Sequence, residues 1–476
     1  MKKISGNSGL PDIAITGTAL LALVLFKIPH LSLPCFWDEA WSYLPAILKM
    51  AETTPSLLPD PSATDLFRGH PLLFYAAAAL WIKIFGHSFV AMRIFPLLVS
   101  MGLLVVFYLF SKRYFGRKIA VISMLFLLIQ AVFLAQSSML LPETGLALLN
   151  LLAIGAFLSG KRGAYVIWSI LLVLTKESGL VLPLACLALH FAEPLWNRGK
   201  HFGTSLIPRS GYLWIPLLVA GSFLIVQKAV MGWFFFPEHI GLLRFSITSV
   251  IQRLGGYASF LFIGFGRNLL TLTAAASLIY LVIRKARFSS EEIRVIIPLT
   301  AFLAAYLLFL SLNFYSPRYL LSILPAFLLL CLVLISKATA QWPVAGYFIL
   351  FVVTGNNLWF TLDRRTDSDH NLGFADAVEV HRQAVLYCDQ QNWQDRPLAT
   401  HFLMRYYLEH PSAGYVTAGR EFLNVSPGIS DSTQVAVISS TEFTKDFQAR
   451  IDSSHFLPVR RFEKRNAWAV IYGKPR

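Results

Sequence analysis

Charged residues are scarce in this sequence, and cysteines are few and widely spaced. Only 14% of the 476 residues are Asp, Glu, Lys or Arg, whereas 56% are hydrophobic and the mean hydropathy is +0.59. The four cysteines form no CxxC pair, so neither a zinc cluster nor a disulfide scaffold is indicated, although a Cys35 to Cys388 bridge stays open. This composition excludes an ordinary soluble domain and indicates a polytopic membrane protein.

The net charge of +15 would suit a nucleic-acid partner if it were concentrated on one folded surface. Residues 361–476 carry 14 basic and 14 acidic residues, so the whole excess lies in residues 1–360. Basic residues between apolar segments are typical of the cytoplasmic loops of membrane proteins. We therefore expect no nucleic-acid partner.

The apolar runs predict eleven membrane spans with the N-terminus inside, since about 20 helical residues cross the hydrocarbon core. The segment His70–Phe85 is marginal because it is short and carries Lys83. If it lies in the interface as an amphipathic helix, the basic cluster of residues 112–118 faces the cytoplasm, as the positive-inside rule prefers. The spans are expected near 12–31, 89–110, 119–138, 142–159, 164–176, 179–196, 213–231, 257–283, 293–311, 319–336 and 343–360.

This topology puts the loop of residues 32–88, hereafter the first outer loop, and the tail after residue 360 on the same outer face. The tail has strand-like stretches at Gln434–Ser439 and Ala467–Gly473 and a helix-like stretch at Ala377–Gln391. The predicted fold is therefore mainly α: a transmembrane helical bundle over residues 1–360, with an extracytoplasmic α/β domain over residues 361–476.

An acidic pair, Asp38 and Glu39, follows the first span among aromatic residues. Carboxylates beside an apolar wall can have a raised pKa or can hold a cation, which suits a general base or a metal site. The alternative is a pair of acids that favour a helix N-terminus.

Further ionisable residues fall on the same predicted face, where burial near a membrane makes such groups functional candidates. Each has an ordinary structural explanation, such as a first-turn acid, a local ion pair or a snorkelling arginine. Together they indicate a site for an anionic, membrane-embedded substrate, with cations for phosphate and with carboxylates and histidine for proton transfer or a metal. They are His70, Glu143, Lys176, Glu177, Glu238, His239, Arg244 and Arg318.

The order of motifs resembles the membrane glycosyltransferases with the C-type fold, specifically the bacterial group related to protein O-mannosyltransferases and lipid A aminoarabinose transferases. The resemblance covers roughly residues 10–340 and implies transfer of a sugar from a polyprenyl-phosphate carrier at the outer face of the bacterial inner membrane. The acceptor would be lipid A, another envelope glycan or protein. The motifs are WDEAWS, GHPLLFYAAAALWIKIFGHSFVAMRIFPLL, LLPETGLALLNL, LTKESGLVLPL, PEHIGLLRF and SPRYLLSILPA.

The resemblance also implies roles for individual residues. Asp38, with Glu39 beside it, would activate the acceptor, and Lys176 would meet the carrier phosphate. Glu238 and His239 stand where some relatives bind a metal, so a divalent cation is an implied cofactor. The remaining assignments are Arg318 and Arg244 as further phosphate-binding residues, and His70, Glu143 and Glu177 as other residues of the site.

The expected reaction is a single displacement at the anomeric carbon, with a carboxylate removing the acceptor proton. The alternative function is a polytopic transporter or lipid flippase. Transporters of this size commonly have inverted repeats and interrupted helices near the bilayer midplane. The sequence has no paired interruptions of that kind, and its ionisable residues gather at one predicted face.

Overall fold

The computed structural model describes residues 9–196, 206–243, 245–363 and 365–475, and it is predominantly helical. A long helical part is followed by a C-terminal region with a five-stranded sheet. The predicted fold class, a helical membrane bundle with a small C-terminal α/β region, is therefore confirmed. Arg244, one of the predicted phosphate-binding residues, lies outside the described residues.

The α-helices of the helical part alternate with short turns. They are α1 (Gly9–Lys27), α2 (Leu44–Glu52), α3 (Thr64–Phe67), α4 (Leu73–Phe85), α5 (Phe89–Leu128), α6 (Ala131–Gln136), α7 (Glu143–Leu158), α8 (Arg162–Thr175), α9 (Val181–Trp196), α10 (Leu206–Met231), α11 (Pro237–Leu242), α12 (Ile247–Phe262), α13 (Arg267–Ile283), α14 (Ser290–Leu312), α15 (Leu324–Ala338) and α16 (Pro343–Asp363).

Six of the described helices are long and apolar enough to cross a membrane, and shorter apolar helices accompany them. The protein is therefore a multi-pass membrane protein, but the expected number of eleven spans is not confirmed. The long segments are Pro11–His30, Phe89–Leu128, Gly211–Met231, Gly264–Ile283, Ser290–Leu312 and Pro343–Asp363. The shorter ones are Leu73–Phe85, Glu143–Leu158, Arg162–Thr175, Glu177–Ala192 and Leu324–Ala338.

Two of the predicted spans take a different course in the structure. Helix α5 extends from the predicted span 89–110 to Leu128, across a break at Gly116, whose φ of +85° favours glycine. The predicted span 257–283 is interrupted between α12 and α13 by a tight turn at Gly264–Gly266. At Gly266 a Cβ atom would lie 2.8 Å from the backbone of Asn356, so the approach of α16 requires glycine there.

Helix α4 corresponds to the segment predicted to lie in the membrane interface. Its buried residues are Phe74, Tyr75, Ala78, Ala79 and Ile82, which lie on one side and pack in part against α2, whereas its C-terminal residues 83–85 are exposed. Thirteen residues give a helix of about 20 Å, which is short of a hydrocarbon core of about 30 Å. One-sided burial and short length agree with a surface helix, and its position in the membrane stays a prediction.

The C-terminal region contains α17 (Gly373–Gln390), α18 (Phe402–Glu409) and α19 (Lys445–Ser453). The strands, in the sheet order β2-β1-β3-β5-β4, are β1 (Leu398–Thr400), β2 (Val425–Ser426), β3 (Val435–Ser439), β4 (Leu457–Lys464) and β5 (Ala467–Gly473). Strands β1, β2 and β3 are parallel, whereas β5 is antiparallel to both β3 and β4. The three elements predicted in the tail correspond to β3, β5 and α17.

The C-terminal region packs directly on the first outer loop. Cys35 donates its backbone N–H to the carbonyl of Ala413 at 3.0 Å, and its own carbonyl accepts from the Tyr415 hydroxyl at 3.0 Å. The rings of Phe36 and Phe374 lie 6.4 Å apart within one shared apolar core. Cys35 is a free, buried thiol, as is Cys388, so the bridge that the sequence left open does not form.

Candidate active site

The first outer loop presents Asp38 at the start of a short π-helical turn, Glu39–Tyr43, that leads into α2. The preceding residue, Trp37, has a φ of +47°, which is costly for an aromatic residue and turns the chain sharply. The carboxylate of Asp38 accepts a hydrogen bond from the indole N–H of Trp41 at 3.0 Å and forms an ion pair with the guanidinium of Arg318. The Asp38 side chain stays 25% exposed, so a substrate can reach it.

Glu39 was predicted as a catalytic residue beside Asp38, but the contacts of its carboxylate indicate a structural role. Its carboxylate accepts hydrogen bonds from Arg93 at 3.0 and 3.1 Å and from the backbone N–H groups of Phe36 and Leu140. Glu39 is fully buried and does not line the cavity that contains Asp38. We therefore correct its assignment: Glu39 fixes the first outer loop to α5, and Asp38 alone of the pair faces the site.

Arg318 lies at the centre of the ionic cluster. It is in the 3₁₀ turn Pro317–Ser322 after α14, and only 4% of it is exposed. Its guanidinium pairs with Asp38 and with Asp369, and its Nε atom is 3.5 Å from Oε1 of Glu143. The same Glu143 oxygen accepts from Nζ of Lys176 at 3.0 Å. Lys176 is thus directed at Glu143 and not at the adjacent Glu177, which pairs with His70.

Electrostatics keep these groups ionised. Burial raises the pKa of Asp38, but the opposing attraction of Arg318 and Lys176 brings the net pKa below its ordinary value. Burial lowers the pKa of Lys176, and the adjacent Glu143 more than reverses this, so the net pKa is raised. The site therefore holds two permanent cations at neutral pH, and both lie near the ring of Tyr319, with Lys176 Nζ 4.0 Å from its centroid.

A cavity of about 420 Å³ opens in front of this cluster. Its walls come from the first outer loop, the turn after α8, the α11 region, the end of α14 and the turn before α15. One side is apolar and includes Phe235, Phe236, Ile240 and Leu242. The predicted site residues that line it are Asp38, His70, Lys176, Glu177, Glu238, His239 and Arg318, while Glu143 lies buried behind Lys176.

The histidines form a separate group at the side of the cavity. Nδ1 of His70 is 2.8 Å from Oε1 of Glu177, and the rings of His70 and His239 have centroids 5.0 Å apart. Burial and the neighbouring His70 lower the pKa of His239 to about 4, so it is neutral at physiological pH. The Glu238 side chain is 70% exposed, and its Oε2 atom lies 3.9 Å from Nη1 of Arg68. Within the described ranges, no three His, Cys, Asp or Glu side chains converge on a metal position, so the predicted Glu238 and His239 metal pair is not supported.

Two charged residues of the site were missed in the sequence. Arg68 lines the cavity with its guanidinium 4.1 Å from the ring of Trp41. Asp369 lies in the segment between α16 and α17 and reaches Arg318 from the C-terminal region. Arg68 stands two residues before His70 in the motif RGHP and could have been included, whereas no local pattern marks Asp369.

Comparison with known proteins agrees with this architecture. Residues 69–220 match the family model described as dolichyl-phosphate-mannose-protein mannosyltransferase. The fold is similar to that of ArnT from Cupriavidus metallidurans bound to undecaprenyl phosphate, with 14% identity, a TM-score of 0.55, and coverage of 96% of this chain and 98% of that chain. For the apo state of the same protein, the identity is 15% and the TM-score is 0.54, with coverage of 97% of this chain and 98% of that chain. No curated protein sequence matches the chain.

At these identities the structural likeness establishes the fold, which is that of the C-type membrane glycosyltransferases. The family match, which covers part of the helical bundle, points to the same group. The resemblance inferred from the order of the motifs is therefore confirmed.

Proposed function

We propose that this protein is an integral-membrane glycosyltransferase that moves a sugar from a polyprenyl-phosphate carrier to an acceptor. The observation that carries the proposal is the cavity itself, in which the Asp38 carboxylate and the cations Lys176 and Arg318 face one space beside an apolar wall. Cations suit a phosphate, the apolar wall suits a polyprenyl chain, and a reachable carboxylate suits an acceptor hydroxyl.

The reaction is a single displacement at the anomeric carbon. A bond forms between the acceptor oxygen and this carbon, while the bond between the carbon and the carrier phosphate breaks, and the leaving oxygen keeps the electron pair. Asp38 takes the acceptor proton, and the carrier leaves as a phosphate. The configuration at the anomeric carbon inverts because the acceptor attacks on the side opposite to the leaving group. Lys176 and Arg318 stabilise the charge that develops on the leaving phosphate, and an interaction of this kind contributes about 10²–10³-fold in rate.

The proposed location is the bacterial cytoplasmic membrane, with the site and the C-terminal domain on the extracytoplasmic face. The positive-inside distribution of the basic residues in the first 360 residues supports this orientation. The ArnT structure with a similar fold is bound to undecaprenyl phosphate, a membrane-embedded lipid phosphate. The acceptor would be lipid A, another envelope glycan or protein. Residues 361–476 form the domain that would lie next to this acceptor.

Reconstitution tests the proposal. The purified protein in liposomes would receive polyprenyl-phosphate-linked sugars and an envelope-lipid extract, and mass spectrometry would detect the glycosylated product. Asp38→Asn should abolish transfer, and Lys176→Ala should reduce turnover about 10²–10³-fold. Unchanged transfer in both variants, or a product with retained anomeric configuration, would refute the assigned mechanism. Movement of the lipid without any glycosidic product would favour the flippase alternative.

A further inference from the structure

The C-terminal region contributes a carboxylate to the ionic cluster, and nothing in the sequence motifs assigns it a role. We propose that Asp369 is a positioning residue that holds Arg318 in place while the donor phosphate displaces Asp38 from the same guanidinium. Donor binding would then free Asp38 to accept the acceptor proton. This inference rests on the proposed function and deepens it.

Asp369 is built into a fixed segment. Its side chain pairs with Arg318, and its backbone carbonyl accepts from the Gln136 side chain at 2.7 Å. Asn371 stabilises the same segment, since its side-chain oxygen accepts from the backbone N–H groups of Thr366 and Gly373 at 3.1 and 2.8 Å. Asp369 is only 9% exposed. Its backbone is held by the hydrogen bond from Gln136, and its carboxylate is held by the ion pair with Arg318.

The three carboxylates around Arg318 differ in how they meet the cavity. Asp38 lines it, whereas neither Glu143 nor Asp369 does, and Glu143 has no exposed surface. A phosphate that enters the cavity therefore meets Arg318 on the side that Asp38 occupies. The Nε–H of Arg318 forms no hydrogen bond with a described residue, and Oε1 of the buried Glu143 lies 3.5 Å from Nε, so a phosphate would meet the guanidinium at the position held by Asp38.

The charges around Arg318 favour an exchange in which the phosphate takes the place of Asp38. Arg318 and Lys176 bring two positive charges to the cluster, whereas Asp38, Glu143 and Asp369 bring three negative charges. A further anion at Arg318 is disfavoured while the three carboxylates engage this guanidinium, because like charges at this distance repel. When Asp38 yields its position, it loses the cation that suppresses its basicity and becomes a better proton acceptor.

The two carboxylates are therefore predicted to have opposite effects on the binding of the carrier phosphate. Asp38→Asn removes the competing anion and should tighten the binding of undecaprenyl phosphate about tenfold, although transfer is lost. Asp369→Asn removes the partner that orients Arg318 and should weaken this binding about tenfold. Binding would be measured by titrating undecaprenyl phosphate into the purified full-length protein and following the fluorescence of its tryptophans.

Kinetics separate positioning from a structural role. Asp369→Asn should raise the KM for the donor about tenfold and leave the KM for the acceptor unchanged, and Asp369→Glu should recover most of the donor affinity. Tyr415→Phe is the matched control, because it removes one hydrogen bond between the C-terminal region and Cys35 without touching Arg318. It should leave both KM values at the wild-type level.

The possible outcomes are distinct. Tighter phosphate binding in both Asp38→Asn and Asp369→Asn would mean that Asp369 acts as a simple repelling charge, which overturns the inference. An equal loss of donor affinity in Asp369→Asn and Tyr415→Phe would mean that Asp369 only helps to attach the C-terminal region to the rest of the protein, which also overturns the inference. A wild-type protein that neither binds the carrier phosphate nor transfers a sugar would refute the proposed function itself.

Discussion

Replacing Glu39 tests whether the two adjacent acids of the first outer loop have separate roles. Glu39 and Arg93 form a bidentate ion pair at 3.0 and 3.1 Å, and their side chains are 1% and 2% exposed. Glu39→Ala leaves the Arg93 charge buried without a carboxylate, which costs about 3–5 kcal/mol of stability. It also leaves the backbone N–H groups of Phe36 and Leu140 without their acceptor. We therefore expect a marked fall in Tm.

The assay is thermal unfolding of the purified protein in detergent, with Glu39→Met, Arg93→Met and the double variant in one series. The double variant should lose less stability than the sum of the two single variants, because removal of both charges leaves neither uncompensated. Asp38→Asn is the neighbouring control and should unfold close to the wild-type temperature, since its side chain is partly exposed. Additive losses in the series, or a near-wild-type Tm for Glu39→Ala, would refute a structural role for Glu39.

Two further predictions concern the charges of the cavity. Burial raises the pKa of Asp38, but the attraction of Arg318 brings it below its ordinary value of 3.8, so the base is ionised at any pH above that. The kcat/KM should therefore stay level on the acid side until the pH falls through this lowered pKa, and a loss that begins near pH 6 would contradict Asp38 as the base of the free enzyme. Among the described residues, Arg68 forms an ion pair only with Glu238, at 3.9 Å and with the Glu238 side chain 70% exposed, so its charge is weakly offset. Arg68→Ala should raise the KM for the donor about tenfold, whereas Lys49→Ala on the exposed side of α2 should not, and equal KM values in the two variants would contradict a phosphate-binding role.

Much of the secondary structure could be predicted because apolar length and periodicity determine it locally. Strand β5 and the helices α7 and α14 lie close to where the sequence placed them. The break at Gly264–Gly266 could not be predicted in the same way, because apolar residues continue on both sides of it. It depends on the close approach of α16 at Gly266, which is a tertiary contact.

The sequence indicated which residues belong to the candidate site better than it indicated what each of them does. Asp38 and Glu39 are adjacent and chemically alike, so only the turn at Trp37 and the position of Arg93 separate their environments. The partner of Arg318 in the C-terminal region lies 51 residues away in the chain, and no spacing rule connects Asp369 to it. Side chains that meet through tertiary packing were therefore the ones that the sequence left unassigned.

The most direct test of the proposed function is sugar transfer by the reconstituted protein, compared between wild type and Asp38→Asn. The wild type should form a glycosidic product of inverted anomeric configuration from a polyprenyl-phosphate-linked sugar, and Asp38→Asn should form none while its Tm stays close to the wild-type value. Transfer at the wild-type rate by Asp38→Asn would contradict the assignment of the base. Absence of any product from the wild type with a full envelope-lipid extract would contradict the glycosyltransferase function.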